Sequence, residues 1–523
     1  MNSAEPKVVE YRFTRVVFGV TSSPFLLNAT LLKHITSFED KDPEFVNQML
    51  RSLYVDDLSL SLEDVDKAYQ LYLQSRERMA QGGFNLRKWL TNSRPLMEKI
   101  KEMEAQREFS IQTENGNQLE EDDETYNRIM VGGLEERDVN TEQKVLGTNW
   151  NYVNDEFLFK FQTHVKSAQG LMPTKRNVLR VIASFYDPMG LISPIVVQMK
   201  IILQDICKSN YHWDTELDLE LKTRWMKLIS ELEQVNVIRI PRCVTSESDT
   251  KELVYELEAF GDASSSAYAA VVYLVIKSRT STQVQLIASK TRVAPLKKQT
   301  IPRLELLAAL ILARLTARIK TTLEQCLVVS RIRCWTDSKN VLYWIKGKDK
   351  EWKQFVNHRV AEIRQLLPTD IWAHVPGVEN PADLASRGVN PLSLVSSSLW
   401  WNGPTWISSQ EEAREIEDVS EMIQPPPECM KEMKVQAVQE LEESATLLVT
   451  NTPEVGIAHI INCEDYSDFS KLCRVTAYVI RFVNNLKTRS SKPISPVGSG
   501  SLTSEEVLFS ESLWILEIGR AHV

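Results

Sequence analysis

The sequence predicts a multidomain chain of α/β and α+β class. Three observations predict it. The chain has 523 residues, which at roughly 100–200 residues per domain gives about three or four domains. Between residues 251 and 392, β-rich runs come first and then alternate with helical runs, the order of a mixed sheet with flanking helices. Beyond Asn390 the composition shifts to acid-rich stretches around Pro425-Pro426-Pro427, a linker signal.

The composition excludes several classes. Hydrophobic residues at 43% and charged residues at 25% are ordinary globular values, so the chain is neither wholly disordered nor fibrous. Lys+Arg of 61 against Asp+Glu of 70 leaves a net charge of −9. A uniformly basic nucleic-acid coat is excluded; a locally basic groove is not. The 7 cysteines are odd in number and form no C-x-x-C pair. That argues against a disulfide framework or a zinc knuckle and points to a reducing, intracellular compartment. The start, Met1-Asn2-Ser3-Ala4-Glu5-Pro6, has no apolar signal-peptide region. No uncharged apolar run approaches about 18 residues, so no membrane span is expected.

Residues 11–20 are β-rich and lead into Thr21-Ser22-Ser23-Pro24, a helix start, so a helix is expected over 24–35. The run from Leu53 to Leu62 alternates apolar and polar after its Asp pair. That is a hairpin pattern with Asp56 and Asp57 at the turn. A helix over 64–81 ends at Gly82-Gly83. Residues 98–124 finish in five consecutive acids, Glu120 to Glu124, and read as a solvated loop. Strands are expected at 146–150 and 157–161, a helix at 174–186, a turn at Pro188 and Gly190, and helices at 195–208 and 214–234.

A new unit begins near residue 251. Strands are expected at 252–260, 267–276 and 284–289, then a long apolar helix at 302–321 with Pro302 in its first turn. A strand at 332–336, helices at 337–345 and 352–366, and a strand at 371–375 complete it. Further on, 411–443 reads as linker, 469–485 as an amphipathic helix, 490–501 as flexible, and a last helix starts at Ser504.

Four acids fall where element ends are expected: Asp262 closing a strand, Glu305 in a helix's first turn, Asp337 at a strand-to-helix junction, and Asp383 after Asn380-Pro381. Taken singly, Glu305 simply complements a helix dipole and Asp337 simply caps a helix. Gathered without cations, four carboxylates would cost several kcal/mol in repulsion and desolvation. Divalent cations relieve that cost, and oxygen-only ligation favours Mg²⁺ or Mn²⁺ over zinc.

The acids lie in Phe260-Gly261-Asp262-Ala263-Ser264, Pro302-Arg303-Leu304-Glu305-Leu306, Trp335-Thr336-Asp337-Ser338 and Asn380-Pro381-Ala382-Asp383-Leu384-Ala385-Ser386-Arg387-Gly388. In that order they resemble the ribonuclease H domain of LTR retrotransposons. The resemblance implies a mixed sheet with flanking helices, and two Mg²⁺ or Mn²⁺ ions held by Asp262, Glu305, Asp337 and Asp383. Hydrolysis of RNA in an RNA–DNA hybrid would follow, with Ser264, Arg303 and Ser338 contacting substrate. One departure is the loop Val375-Pro376-Gly377-Val378-Glu379, which lacks the mobile His many cellular enzymes of this fold carry there. His374 stands earlier and reads as structural. Lys346, Lys348 and Lys350 beside Trp344 and Trp352 would steer an anionic duplex.

Tyr54-Val55-Asp56-Asp57, preceded by Phe18-Gly19-Val20-Thr21-Ser22-Ser23-Pro24-Phe25, resembles the palm of a reverse transcriptase. There Asp56 would ligate metal with Asp57 as its partner, while Phe18 and Gly19 would contact template and nucleotide. The family's upstream palm carboxylate has no counterpart before Tyr11, so no nucleotide transfer by this chain alone is expected. The stretch from Thr174 through Phe185-Tyr186-Asp187-Pro188-Met189-Gly190-Leu191-Ile192-Ser193-Pro194 resembles the thumb and connection of Bel-Pao elements, with Lys175, Arg176 and Arg180 facing phosphates. Ser398-Leu399-Trp400-Trp401-Asn402-Gly403-Pro404-Thr405-Trp406 resembles the junction into integrase. His459, Cys463 and Cys473 have no metal-ligand spacing, so zinc is not expected.

The expected organisation is a truncated palm half over 1–97, thumb and connection with an acidic insertion over 98–250, and a ribonuclease H-like domain over 251–392. Linker and truncated integrase start would follow over 393–516. Residues 517–523 match the translation of a sequencing-library adapter and are excluded from fold reasoning. The resemblance thus implies a fragment of a Bel-Pao-type retrotransposon polyprotein. Its partners would be an RNA–DNA hybrid and, in the intact polyprotein, template RNA and primer DNA, in a cytoplasmic particle or the nucleus. The alternatives are a catalytically silent nucleic-acid-binding or interaction remnant and a stand-alone cellular ribonuclease H.

Overall fold

The computed structural model describes residues 16–17, 19–62, 64–114, 141–244, 253–347, 352–409, 426–433, 461–466, 468–489 and 502–520. Phe18, most of the strand expected at 11–20, the acids 120–124, Lys348, Lys350, most of the linker at 411–443, His459 and the flexible stretch 490–501 lie outside them. Two compact units, Met1–Val435 and Gln436–Val523, divide the chain.

The first unit opens with helices α1 (Ser23–Thr36) and α2 (Pro43–Ser52), the hairpin β1 (Leu53–Tyr54) and β2 (Asp57–Leu58), and helices α3 (Val65–Gln81) and α4 (Arg94–Glu114). Asp42 caps α2 by accepting from Phe45 N at 3.0 Å, and Arg78 of α3 pairs with the same carboxylate at 2.9 Å. Leu31, Ile35, Phe45, Met49, Leu71 and Met79 form the small core between these helices. One expectation is corrected here. The charged stretch expected as a loop from residue 98 is helical to Glu114, because charge spaced along an exposed helix is as well solvated as in a loop. The hairpin strands are only two residues each.

A four-stranded antiparallel sheet follows, β3 (Glu142–Val145), β4 (Thr148–Asn151), β5 (Glu156–Lys160) and β6 (Val237–Pro241), in that spatial order. Leu146 and Gly147 both take positive φ. They form the tight turn between β3 and β4, not the strand start expected at 146. Between β5 and β6 lie α5 (Gln162–Gln169), α6 (Lys175–Ser184), α7 (Ser193–Lys208) and α8 (Leu219–Glu233). Thr174 caps α6 through Asn177 N, and Asp218 caps α8 through Leu221 N.

The central sheet contains β7 (Val254–Ala263), β8 (Ala267–Lys277), β9 (Thr282–Val293), β10 (Val329–Thr336) and β11 (Trp372–His374). Its spatial order is β11-β10-β7-β8-β9. β7, β8 and β9 are antiparallel neighbours, whereas β10 runs parallel to both β7 and β11. The crossover from β9 to β10 is the long helix α9 (Ile301–Leu323), and α10 (Lys339–Lys346) and α11 (Gln354–Leu366) separate β10 from β11. Because strand side chains alternate, β8 feeds two cores. Tyr268, Ala270, Val272 and Leu274 pack with Leu304, Ala308 and Leu312 of α9. Ala269, Val271, Tyr273 and Val275 pack with Ile195, Val196 and Met199 of α7. The helical connector is therefore the second wall of the central sheet.

Short helices α12 (Pro381–Arg387), α13 (Pro391–Val395), α14 (Ser398–Asn402) and α15 (Thr405–Ser408) follow β11. Leu394, Trp400 and Ile407 are buried in the same core as α7. The Trp400 indole donates to Leu191 O at 2.9 Å, and the Tyr273 hydroxyl donates to Trp400 O at 2.7 Å. On the α9 side, α16 (Pro427–Met430) buries Cys429 beside Trp344 and Trp352.

In the second unit α17 (Phe469–Arg489) and α18 (Ser504–Arg520) pair antiparallel. Trp514 donates to Thr476 at 2.9 Å, and Arg481 pairs with Glu506. Among the described residues, no helix is long and apolar enough to cross a membrane.

Candidate active site

The parallel ladder places Gly261 opposite Thr336, so Asp262 and Asp337 follow side by side at the ends of adjacent strands. Asp262 is 3% exposed and accepts a hydrogen bond from the Ser386 hydroxyl of α12. Burial pushes its carboxyl up to about 6, the Ser386 hydroxyl opposes, and the charges of Asp337 and Asp383 push further up. Glu305, in the first turns of α9, accepts from the Ser338 hydroxyl. Burial pushes it up to about 7, with Asp337 and Asp262 adding to the rise. Asp337 is raised chiefly by burial and then by Asp383, while His374 opposes. Its Oδ1 is buried with no hydrogen-bond partner. Asp383, held on α12 by the Asn380 cap, pairs with Arg387 one turn along.

The charges of Asp337 and Asp383 thus act on Asp262, those of Asp337 and Asp262 on Glu305, and that of Asp383 on Asp337. The present partners of these acids are two hydroxyls and one guanidinium. Among the described residues, no three His, Cys, Asp or Glu side chains stand together at metal-ligand spacing. The donor chemistry nonetheless suits a hard divalent cation: oxygen donors only, three carboxyls raised by burial and mutual charge, and an orphaned buried oxygen on Asp337.

The expected substrate residues stand as follows. Ser264 is buried in the β7–β8 turn, donating to Ser386 O at 2.8 Å and accepting from Ala267 N at 3.1 Å. Ser338 caps α10 through Val341 N at 3.3 Å. Arg303 makes a two-pronged pair with Glu432, at 2.7 and 3.0 Å. Arg176 makes another with Asp214, at 2.6 and 2.9 Å, and the Lys175 ammonium lies 4.9 Å from the Trp213 ring centre. Asp56 occupies the β1–β2 turn and Asp57 starts β2, both exposed. Gly19 takes a φ of +85°. Sequence reasoning missed Ser386 and Arg387 as partners of the acids, although the one-turn spacing of Asp383 and Arg387 was a usable signal. It also missed Glu432, for which no local signal exists.

Residues 174–338 match the family model described as the Pao retrotransposon-like RNaseH-like domain. The match begins at the cap of α6 and ends on the cap of α10, so it includes Asp262, Glu305 and Asp337 together with the connector helices. No curated protein matches the chain. Among solved structures, RNase H1 from the halophilic archaeon Halobacterium salinarum NRC-1 is similar at 18% identity and a TM-score of 0.18, covering 24% of this chain and 89% of that one. LC11-RNase H1 in complex with an RNA/DNA hybrid is similar at 14% identity and a TM-score of 0.18, over 25% and 91%. The foamy viral protease-reverse transcriptase in complex with dsDNA is similar at 13% identity and a TM-score of 0.15, over 69% and 60%.

Proposed function

We propose, with residues 174–338 as a Pao retrotransposon RNaseH-like domain, that this chain is part of a retrotransposon Pol polyprotein. Its retained chemistry is hydrolysis of RNA in an RNA–DNA hybrid. The observation that carries the reading is the convergence of buried Asp262, Glu305 and Asp337, with Asp383 acting on Asp262 and Asp337, and with Asp337 Oδ1 buried and unpartnered. These four residues would hold Mg²⁺ or Mn²⁺, which would supply an activated water and stabilisation of the leaving oxygen at a scissile phosphate. The chain's own groups do the rest. Ser386 and Ser338 orient Asp262 and Glu305 by donated hydrogen bonds, and Arg387 pairs with Asp383. Strand choice would rest on hybrid shape and RNA 2′-hydroxyls. The site of action would be intracellular, in a cytoplasmic particle or the nucleus.

The test is a labelled RNA–DNA hybrid incubated with the full chain and Mg²⁺, beside an Asp337→Asn control. Cleavage by the natural sequence and none by the variant is the expected result. A well-folded natural chain that leaves the hybrid intact favours a silent nucleic-acid-binding remnant. The observation on that side is that Asp262, Glu305 and Asp383 each already have a protein partner on one oxygen. The hairpin bearing Asp56 and Asp57 is proposed as a palm remnant that does not transfer nucleotides by itself. Full primer extension on an RNA template by this chain would refute that.

A further inference from the structure

We propose that Trp406 is a positioning residue for the carboxylate site, holding three of its four acid-bearing segments in register. This rests on the nuclease reading above. Strand side chains alternate faces, so Phe260 and Asp262 share one face of β7, and Trp335 and Asp337 share that face at the end of β10. Phe260 and Trp335 are direct ladder partners. The Trp406 indole meets Trp335 edge-on with ring centres 4.9 Å apart and Phe260 at 6.2 Å. Its Nε1–H donates to Glu379 Oε2 at 2.9 Å. Glu379 ends the short turn Gly377–Glu379 and directly precedes Asn380, the cap of the helix that carries Asp383. Asn380 also donates to Gly261 O at 3.1 Å.

One indole therefore touches the residue beneath Asp262, the residue beneath Asp337, and the turn from which Asp383 departs. Trp406 is itself braced. Ile407 beside it is buried, and Trp400 is fixed by the Tyr273 hydroxyl and by Leu191 O. Such support decides how closely the carboxylates can converge on a shared cation without touching the ion itself.

The test uses the full chain, with Mn²⁺ binding by calorimetry and hybrid-cleavage kinetics read in parallel. Trp406→Ala is expected to weaken Mn²⁺ binding and lower kcat by about tenfold, with KM for the hybrid unchanged. Trp406→Phe, which keeps a ring but no donor, should fall between. Glu379→Ala leaves the aromatic stack in place, should shift both readouts the same way, and decides the matter where Trp406→Ala fails to fold. Natural Mn²⁺ affinity and kcat in a folded Trp406→Ala protein, or in Glu379→Ala where the former does not fold, overturns the proposal. A natural chain that binds Mn²⁺ without cleaving leaves the binding comparison to decide. One that binds no Mn²⁺ overturns the nuclease reading, and this inference with it.

Discussion

Gly190 presses against the backbone of Ser289: a Cβ added to Gly190 would stand 2.2 Å from the Ser289 carbonyl oxygen. Gly190 also takes a φ of +73°, where L side chains are strained. Around this contact Ser289 N donates to Met189 O at 2.8 Å, the Ser193 and Ser289 hydroxyls meet at 2.6 Å, and Asp187 accepts from Leu191 N and Ile192 N. The turn between α6 and α7 is thereby seated on β9. Gly190→Ala is expected to destabilise the fold by about 2–3 kcal/mol or more, combining overpacking with backbone strain. Urea denaturation checks it; a change below about 0.5 kcal/mol, the size typical of surface substitutions, would contradict the contact.

The carboxylate site should make stability depend on pH in an unusual direction. Unfolded Asp and Glu lose their protons near pH 4, whereas folded Asp262 holds its proton to about 6 and Glu305 to about 7. Between those limits the folded state binds more protons than the unfolded one, so stability falls as pH rises. Each unit of displacement corresponds to about 1.4 kcal/mol. Glu258, buried beside Arg333 and also pushed up to about 7, contributes in the same window. In EDTA the chain is expected to be more stable at pH 4.5 than at pH 7.5, values chosen roughly to bracket the window. Added Mg²⁺ should restore the part due to Asp262 and Glu305 but not that due to Glu258. Denaturation curves with no Mg²⁺-dependent difference between the two pH values would count against a shared cation.

Thiol labelling reports on the segment that carries Cys429. Cys243, Cys326 and Cys463 are exposed, while Cys334, Cys429 and Cys473 are buried. The exposed set should react first with a small alkylating reagent, and the buried set only in denaturant. Cys429 lies on the segment that Arg303 and Glu432 fasten, with its thiol against Asn340 O. Glu432→Ala is therefore expected to speed Cys429 labelling selectively. Equal rates in variant and natural chain, read by peptide mass spectrometry, would show that this ion pair does not hold the segment.

A chain ending at residue 392, the boundary expected from sequence, loses Leu394, Trp400 and Ile407 from the core. Burial of each such side chain stabilises by roughly 1.5–3 kcal/mol, and their sum is comparable to a whole domain's margin of about 5–15 kcal/mol. Thermal melting by circular dichroism should show loss of cooperative unfolding at 392 but not in a chain ending at 433. Equal melting of the two would place the end of the fold near 392 after all.

The central sheet was readable because its signals are local. The unbroken apolar, β-branched and aromatic run of β8 and the Pro302-led apolar run of α9 identify themselves within the segment. The four acids were readable because strand ends and helix caps mark their places. What was not readable depends on partners far along the chain. β6 becomes a strand only when Val237–Pro241 meets Glu156–Lys160, and five residues alone carry little signal. The stretch 398–406 was read by its resemblance to the junction into integrase, and nothing local in it points to the partner of the Trp400 indole, Leu191, 209 residues away. Arg303 looked available to substrate because Glu432 lies 129 residues downstream.

The sharing of β8 between α9 on one side and α7 on the other bears on inheritance. A segment copied, spliced or swapped at residue 251 would arrive with a bare apolar face and would have to find a replacement wall in its new host. Genetic exchange should therefore transmit the sheet and its upstream elements as one block, with crossover points tolerated before β3 at Glu142 rather than within the block.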